Sequence, residues 1–277
     1  MITEYRKGGD TMTVNDYNTF FSLLSEDKFK EAFAYKNSKI PDTLYKYYSL
    51  TDNEPLNDSK LLYLEQGKIF LSPFTSFNDP FEGNYLIFDD KKLGQYGWDR
   101  KLIEEYYTRM ISPWKVSCLS NTNEQNMPMW AYYANNHQGY CVKYCLSEKD
   151  KNLIIPVSYE SKRIYANSIF THIVNEIARF KTKDYTISSQ TNVYNFTMLL
   201  SMAAKHISWK HEKEYRIMSM ESSYALSPCS IFIGINCKDG YKKKLINIGN
   251  NFPACPVFEM QIIRDEENFE LQENQII

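Results

Sequence analysis

Two glutamates, at positions 212 and 214, lead directly into a segment typical of a β-strand, 214–218. Side chains alternate between the two faces of a strand, so an extended segment puts Glu212, Glu214 and Arg216 on one face. A carboxylate fixed at a strand start, beside an arginine, suits holding a ribose hydroxyl or stabilising a developing cation. The same pattern equally suits an ion-paired strand end with no catalytic role.

An aromatic run, MWAYY at 129–133, supplies a second group of candidate residues. The spacing predicts a helix that Asn126 caps and that stops at Gly139. The rings of Tyr132 and Tyr133 can stack on a flat heterocycle, and their hydroxyls can bind a ribose. The alternative is that the Met and Trp of this run belong to the core and that the helix has no ligand.

Two further segments carry polar groups next to aromatic rings. The predicted strand 44–48 contains Tyr45, Lys46 and Tyr47, and the loop NDPFE at 78–82 follows another predicted strand. Asn78 or Glu82 is a candidate contact for the polar groups of a ligand. The alternative is a rigid turn, because Asn and Asp side chains bond the backbone two residues on, and a residue before proline is held extended.

Composition limits the classes of protein to consider. The chain has 277 residues, 43% of them hydrophobic, and a net charge of −2, so no global basic field draws it to nucleic acid or an anionic membrane. No run reaches the roughly 18 apolar residues of a membrane span, and residues 1–10 are too polar for a signal peptide. We therefore expect a cytoplasmic protein.

The six cysteines show no C-x-x-C pair and no zinc-ligand spacing. Most of them lie in apolar segments, where cysteine behaves as a small hydrophobic residue. We expect free buried thiols in a reducing compartment, and no metal site.

Hydrophobic periodicity predicts an α+β fold with a mixed central β-sheet and flanking helices. We expect an N-terminal tail and helix over 1–40, and one α+β domain over 41–277 that includes a helical segment at about 160–207. The predicted strands cover 44–48, 68–72, 114–119, 140–146, 153–159, 214–218, 229–235 and 255–263. Within the last part of the chain, a helix over 238–246 completes a strand–helix–strand unit.

Three blocks of sequence resemble a widespread bacterial family catalogued only as a domain of unknown function. They are LYKY at 44–47 with NDPFE at 78–82, MWxxY at 129–133 with Gly139, and WxxExEYR at 209–216. The blocks occur in the family's order and span about 40–260. This resemblance implies no activity.

The layout also resembles, more distantly, the ADP-ribosyltransferase superfamily. The resemblance implies an ADP-ribosyltransferase-like fold that cleaves NAD without a metal, in a transferase or an NAD glycohydrolase. Glu214 would bond the hydroxyl of the nicotinamide ribose, and Glu212 would lie nearer the acceptor. The implied NAD-binding residues are Tyr45, Lys46, Tyr47, Asn78, Tyr132, Tyr133 and Arg216. Lys46 stands where the superfamily has Arg or His, and its Ser-Thr-Ser element is absent.

Such a protein would be a toxin or an antiphage defence protein, with a protein, a nucleic acid or water as acceptor. A second hypothesis is a non-catalytic module in which the same residues bind a nucleotide or a partner. A third is a metal-dependent nuclease, with Asp79, Glu82, Glu212 and Glu214 as its acidic cluster. No G-x-G-x-x-G, P-loop or G-x-S-x-G motif is present, which disfavours a dinucleotide fold, a P-loop enzyme or an α/β-hydrolase.

Overall fold

A computed structural model of the chain describes residues 11–77, 79–95, 97, 99–165, 182, 201–263, 267 and 269–277. The helices in this part are α1 (Val14–Ser25), α2 (Phe29–Asn37), α3 (Glu54–Glu65), α4 (Asp90–Gln95), α5 (Arg100–Ile111), α6 (Met127–Tyr133), α7 (Glu148–Leu153) and α8 (Asp239–Asn250). Most of the predicted helical segment at 160–207 lies outside the described residues. Of its last described part, 201–203 are helical and 204–206 form a strand.

The strands of the described residues are β1 (Thr43–Tyr48), β2 (Lys68–Phe70), β3 (Ser72–Pro73), β4 (Leu86–Ile87), β5 (Lys115–Ser120), β6 (Tyr140–Cys145), β7 (Ile154–Pro156), β8 (Ser158–Glu160), β9 (Ile164–Tyr165), β10 (Ala204–His206), β11 (Glu214–Ser219), β12 (Ser223–Ala225), β13 (Pro228–Ile233), β14 (Val257–Ile262) and β15 (Leu271–Gln275). The predicted strands correspond to these within a few residues. Two predicted strands are instead divided: 68–72 between β2 and β3, and 153–159 between β7 and β8.

Local sequence signals account for the ends of several helices. Thr13 and Asp16 form a reciprocal capping box at the start of α1, and the left-handed Asp27 separates α1 from α2. The amide oxygen of Asn53 accepts from the backbone at the start of α3, and Gly67 follows this helix at φ 63°. Asn126 caps α6, as its position before an apolar run predicts.

A mixed sheet forms the centre of the described structure. Its strand order is β15-β14-β13-β6-β1-β5-β11-β7, with β3 paired to β5. Strands β13 and β14 are parallel and are connected through α8, as the strand–helix–strand prediction requires, and the other neighbours are antiparallel. The predicted α+β class and mixed central sheet are confirmed.

Helices cover both faces of this sheet. On one face, Leu64 of α3 and Leu245 of α8 share a buried cluster with Tyr215 and Ile217 of β11. On the other face, α1 packs on the neighbouring part of the sheet through buried residues that include Phe20, and α6 packs nearby through Trp130 and Met129. Alternation along β11 therefore points its even-numbered side chains away from the first cluster.

Strands β1 and β5 are neighbours in the sheet but pair at one position, Tyr45 with Ser120. On its other side, β1 pairs with β6 along its whole length, from Thr43 to Tyr48. The sheet therefore opens between β1 and β5 beyond Tyr45. The candidate site lies at this opening.

The expectation of free thiols is wrong for two cysteines. Cys145 and Cys229 form a disulfide, with 6.1 Å between their Cα atoms. They lie on the adjacent strands β6 and β13, and the pairing of these strands is irregular between Pro228 and Ser230. Their sequence separation of 84 residues gives no hint of this contact. Cys118, Cys141, Cys237 and Cys255 are free thiols.

None of the helices in the described part of the chain combines the length and the apolar character that crossing a membrane requires.

Candidate functional site

Glu214, the first residue of β11, holds a buried carboxylate between two cations. Its side chain is 3% exposed, and its Oε1 accepts from Nε of Arg216 at 2.7 Å. Its Oε2 accepts from Nζ of Lys205, in β10, at 2.9 Å. The predicted placement of Glu214 and Arg216 on one strand face, opposite Tyr215, agrees with this geometry.

Glu212 reaches the same place by a different backbone path from the one that alternation predicts. It ends a 3₁₀ helix, Ile207–Glu212, and Lys213 then adopts left-handed geometry at φ 45° before β11 begins. The extended geometry expected for Glu212 is therefore wrong. Its carboxylate still lies beside Glu214, because both accept from Lys205 and the Glu212 Oε2 to Nζ distance is 2.5 Å. Tyr133 of α6 donates its hydroxyl to Oε1 of Glu212.

A third glutamate, Glu82, joins this group from the loop after β3. Its Oε1 accepts from Nη2 of Arg216 at 2.8 Å and lies 3.7 Å from Nζ of Lys205. The guanidinium of Arg216 also donates to the carbonyl of Met202 and lies over the ring of Phe77. We call Glu82, Lys205, Glu212, Glu214 and Arg216 the buried charge network.

The acidic residues predicted for a metal-dependent nuclease are paired with cationic side chains or with the backbone. Glu82, Glu212 and Glu214 do converge, but they surround two cationic side chains. The carboxylate of Asp79 is used locally, where it accepts from the backbone of Phe81 at 2.9 Å. Within the described ranges, no group of three or more His, Cys, Asp or Glu side chains is placed to hold a metal ion.

Burial and charge move the glutamate pKa values in opposite directions. For Glu214, burial raises the pKa, but Arg216 and Lys205 outweigh it and hold that pKa far below the usual glutamate range. For Glu212, burial and then the neighbouring charge of Glu214 raise the pKa, against Lys205. For Glu82, burial raises the pKa more than Arg216 lowers it. The network therefore holds the pKa of Glu214 low and shifts the pKa values of its two neighbours upward.

The charge network forms one wall of a cavity of about 100 Å³ at the opening between β1 and β5. Aromatic rings, small or apolar side chains and one further cation, Lys46, form the other walls. The lining residues are Tyr45, Lys46, Tyr47, Phe77, Cys118, Leu119, Ser120, Met129, Tyr133, Lys205, Glu212 and Glu214. The cavity thus combines a permanent negative charge with flat apolar surfaces, a combination that ligand sites use for orientation and affinity.

Lys46 spans the opening in the sheet. Its Nζ donates to the carbonyl of Cys118 at 3.1 Å and lies 5.4 Å from the centre of the Tyr48 ring. Burial lowers the pKa of Lys46, and Cys118 and Glu214 oppose this shift. No described carboxylate lies within ion-pair distance of its ammonium group, whereas Lys205 pairs with both Glu212 and Glu214.

Most of the residues predicted for the site converge on this cavity. Tyr45, Lys46, Tyr47, Tyr133, Glu212 and Glu214 line it. Arg216 lies behind Glu214 and is fully buried. Tyr132 does not line the cavity and is 73% exposed, because neighbouring residues on a helix point about 100° apart and Tyr133 points inward. Asn78 lies outside the described residues.

Lys205 is the functional residue that the sequence analysis missed. It is a single cation after the apolar residues Met202, Ala203 and Ala204, which are all buried. An isolated lysine in a buried apolar run is a signal that it has a charged partner, because an unpaired buried ammonium is costly. The sequence analysis also missed two hydrogen bonds to the backbone of the glutamates. The hydroxyl of Tyr159 accepts from the backbone N–H of Glu214 at 2.8 Å, and the hydroxyl of Ser120 donates to the carbonyl of Glu212 at 2.5 Å.

Fold and site together define an α+β protein with a buried charge network beside an aromatic cavity. Residues 129–217 match the model of a family described as "Protein of unknown function (DUF2971)". This stretch runs from α6 to β11 and contains the MWxxY and WxxExEYR blocks, so the predicted resemblance to a family of unknown function is confirmed over these residues. The predicted block at 44–47 and 78–82 lies outside the match. No curated protein matches the chain, and no solved structure matches it.

Proposed function

We propose that this protein cleaves the nicotinamide–ribose bond of NAD or a related nucleotide, within an ADP-ribosyltransferase-like fold. The observation that carries the proposal is the pair Glu214 and Glu212 at an aromatic cavity, with pKa values moved apart by their surroundings. Two carboxyl groups whose environments separate their pKa values are typical of enzymes that need one permanent anion and one proton-transfer group.

Cleavage of this bond breaks the link between C1′ of the ribose and the ring nitrogen. The bonding electron pair leaves with the nicotinamide, which becomes neutral, and positive charge develops on the sugar. A fixed carboxylate stabilises such a charge best when it is desolvated and already oriented. Glu214 meets both conditions, since it is 3% exposed and is held by Arg216 and Lys205.

An acceptor hydroxyl or water then attacks C1′ and loses its proton. Glu212 is the group to take that proton, because its raised pKa makes it a stronger base than an ordinary carboxylate when ionised. The hydroxyl of Tyr133 donates to Glu212 and orients it. Water as acceptor gives an NAD glycohydrolase. A protein or nucleic-acid acceptor gives a transferase, an activity that suits a toxin or an antiphage defence protein.

The aromatic walls support a flat leaving group. Tyr45, Tyr47, Phe77 and Tyr133 line the cavity, and aromatic rings stack on heterocycles in offset or edge arrangements. Lys46 adds a cation at the same cavity. It suits an anionic part of the nucleotide, although a lysine lacks the two-pronged geometry of an arginine.

The replacement Glu214→Gln tests the proposal. It keeps the size and hydrogen-bonding oxygen of the side chain but removes the charge that stabilises the transition state. We expect nicotinamide release from NAD to fall by at least about 100-fold, as for loss of one electrostatic group in other active sites. Release is measured by chromatography on purified protein, with circular dichroism to verify the fold.

Glu221→Gln is the matched control, because Glu221 is exposed in the loop after β11. It should release nicotinamide at the wild-type rate. Equal release from wild type and Glu214→Gln would remove Glu214 from the mechanism.

A second candidate function is a non-catalytic nucleotide-binding module. The observation in its favour is that both carboxylate oxygens of Glu214 already accept from a cation, Arg216 on one side and Lys205 on the other. Thermal unfolding with increasing NAD separates the two functions. A raised melting temperature without nicotinamide release supports the binding module, since a ligand that binds only the native state stabilises it.

A further inference from the structure

A second pocket, of about 280 Å³, shares Lys205 with the cavity described above. It lies between the loop that follows β3, the end of β8 and strand β10. Its lining residues are Asp79, Phe81, Asn84, Tyr85, Glu160, Ser161, Lys162, Arg163, Ala204, Lys205 and His206. Asp79 and Phe81 come from the NDPFE block, but of the lining residues the proposed chemistry uses Lys205 alone.

Three of the lining residues offer hydrogen-bond donors for an anion. Arg163 donates from Nε to the carbonyl of Asn84 at 2.6 Å and from Nη2 to that of Leu86 at 3.1 Å, which fixes the guanidinium. The Nδ1 atom of His206 accepts from the backbone of Ser208, so its Nε2 carries the proton and is a donor. Lys162 is exposed and supplies a mobile ammonium group.

Neither Arg163 nor Lys162 has a carboxylate partner among the residues that the structure describes. The two acidic residues of the pocket are engaged locally: Asp79 accepts from the backbone of Phe81, and Glu160 accepts from the hydroxyl of Ser158 at 2.6 Å. A guanidinium held flat beside a lysine is the usual arrangement for binding phosphate oxygens. The pocket therefore holds two cationic side chains that are not paired with its two carboxylates.

Two aromatic rings accompany these donors. Tyr85 is 9% exposed, whereas Phe81 is 56% exposed although it is a large apolar side chain. A flat apolar ring left open to solvent at a pocket suits stacking on a nucleobase. Aromatic rings, a fixed guanidinium and a lysine in one pocket together match a nucleobase joined to phosphates.

We propose that this second pocket binds a nucleoside diphosphate. The bound nucleoside diphosphate is either the ADP half of the dinucleotide that the first cavity would cleave or a separate nucleotide. The first alternative rests on the proposed function, and the second does not. Lys205 lines both pockets, so either ligand would contact the charge network that sets the ionisation of Glu214.

Isothermal titration of the full-length protein with ADP tests the proposal. We compare wild type with Phe81→Ala and Lys162→Glu, two exposed positions whose replacement leaves the core intact. Each replacement should raise the dissociation constant for ADP by about tenfold or more, since it removes a stacking ring or reverses a phosphate-facing charge. Lys149→Glu, at an exposed position of α7 outside the pocket, is the control and should bind ADP like the wild type.

Competition with NAD distinguishes the two alternatives. If ADP displaces NAD, the pocket holds half of the dinucleotide; if both bind at once, it holds a separate nucleotide. Lack of ADP binding to the wild type, or equal binding by the two pocket variants, overturns the proposal. Nicotinamide release is measured separately, so an inactive wild type that still binds ADP contradicts the proposed function alone.

Discussion

At the scale of single residues, Lys205 connects the parts of the charge network. Its Nζ lies 2.5 Å from Glu212, 2.9 Å from Glu214 and 3.7 Å from Glu82, and its side chain is 8% exposed. Burial lowers its pKa, but Glu214 and Glu212 raise that pKa well above the ordinary lysine range. Because three buried carboxyl groups share two cations, loss of either cation leaves negative charge uncompensated.

Replacing Lys205 with methionine, which has similar length but no charge, should reduce the free energy of unfolding by roughly 3–5 kcal/mol. The measurement is urea denaturation followed by tryptophan fluorescence. Lys210→Met is the matched control, because Lys210 is exposed in the same 3₁₀ helix as Glu212. It should change stability by no more than about 0.5 kcal/mol. Equal effects of the two replacements would contradict a central role for Lys205.

The pH dependence of this destabilisation has a definite sign. A glutamate with a depressed folded pKa, such as Glu214, stabilises the fold above its unfolded pKa and loses that effect as pH falls. A glutamate with a raised folded pKa, such as Glu212 or Glu82, costs stability as pH rises, because the folded state binds more protons. Loss of Lys205 raises all three pKa values, so the deficit should be larger at about pH 8 than at about pH 5.

At the scale of elements, short irregular turns place the site residues. Three consecutive residues after α6, from Asn135 to His137, adopt left-handed geometry and reverse the chain into β6. Gly139 then passes so close to β1 that a Cβ atom there would overlap the carbonyl oxygen of Tyr48. This contact fixes α6, and with it Tyr133, relative to the strand that carries Lys46.

Gly139→Ala should therefore destabilise the protein by about 2–3 kcal/mol or more, because the backbone atoms that it meets cannot rotate away. Gly240→Ala is the control: Gly240 lies in α8 with open space around it, and alanine there should be neutral or stabilise by up to about 1 kcal/mol. Thermal unfolding of both variants measures the difference. A Gly139→Ala protein as stable as the wild type would contradict the close approach of the two backbones.

At the scale of the whole molecule, the central sheet joins segments from both ends of the chain. Strand β6 lies between β1 and β13 in the sheet, and the disulfide from Cys145 to Cys229 links β6 to β13. The bond closes a loop of 84 residues that contains β10 and β11, and so both Lys205 and Glu214. A covalent link across this loop restricts the unfolded chain and thereby stabilises the fold.

Thiol titration of the unfolded protein without reductant should find four free thiols among the six cysteines. The double replacement Cys145→Ser and Cys229→Ser should lower the free energy of unfolding by up to about 4.5 kcal/mol, the loop-entropy value for a closed loop of this length. Addition of reductant should lower the stability of the wild type but leave the double variant unchanged. Six reactive thiols in the unfolded wild type would show that the bond is absent.

Several elements were predictable because their signals are local. Asn126 before an apolar run predicts the start of α6, and alternation over 214–218 predicts the strand β11. The resemblance to a family of unknown function rests on short blocks such as WxxExEYR, which alternation and spacing also single out. The division of the predicted strand 153–159 into β7 and β8 was missed, because its apolar run has no break that marks a change of sheet.

The sequence by itself determined the α+β class, the mixed sheet, and the candidate carboxylates and tyrosines, because these depend on periodicity and residue type within short windows. The tertiary structure alone decided the pairing of Cys145 with Cys229 and the placement of Lys205 between three glutamates. It also decided which of the two neighbouring tyrosines, Tyr132 or Tyr133, points inward. These features depend on contacts between segments far apart in the chain, and local pattern carries no information about such distances.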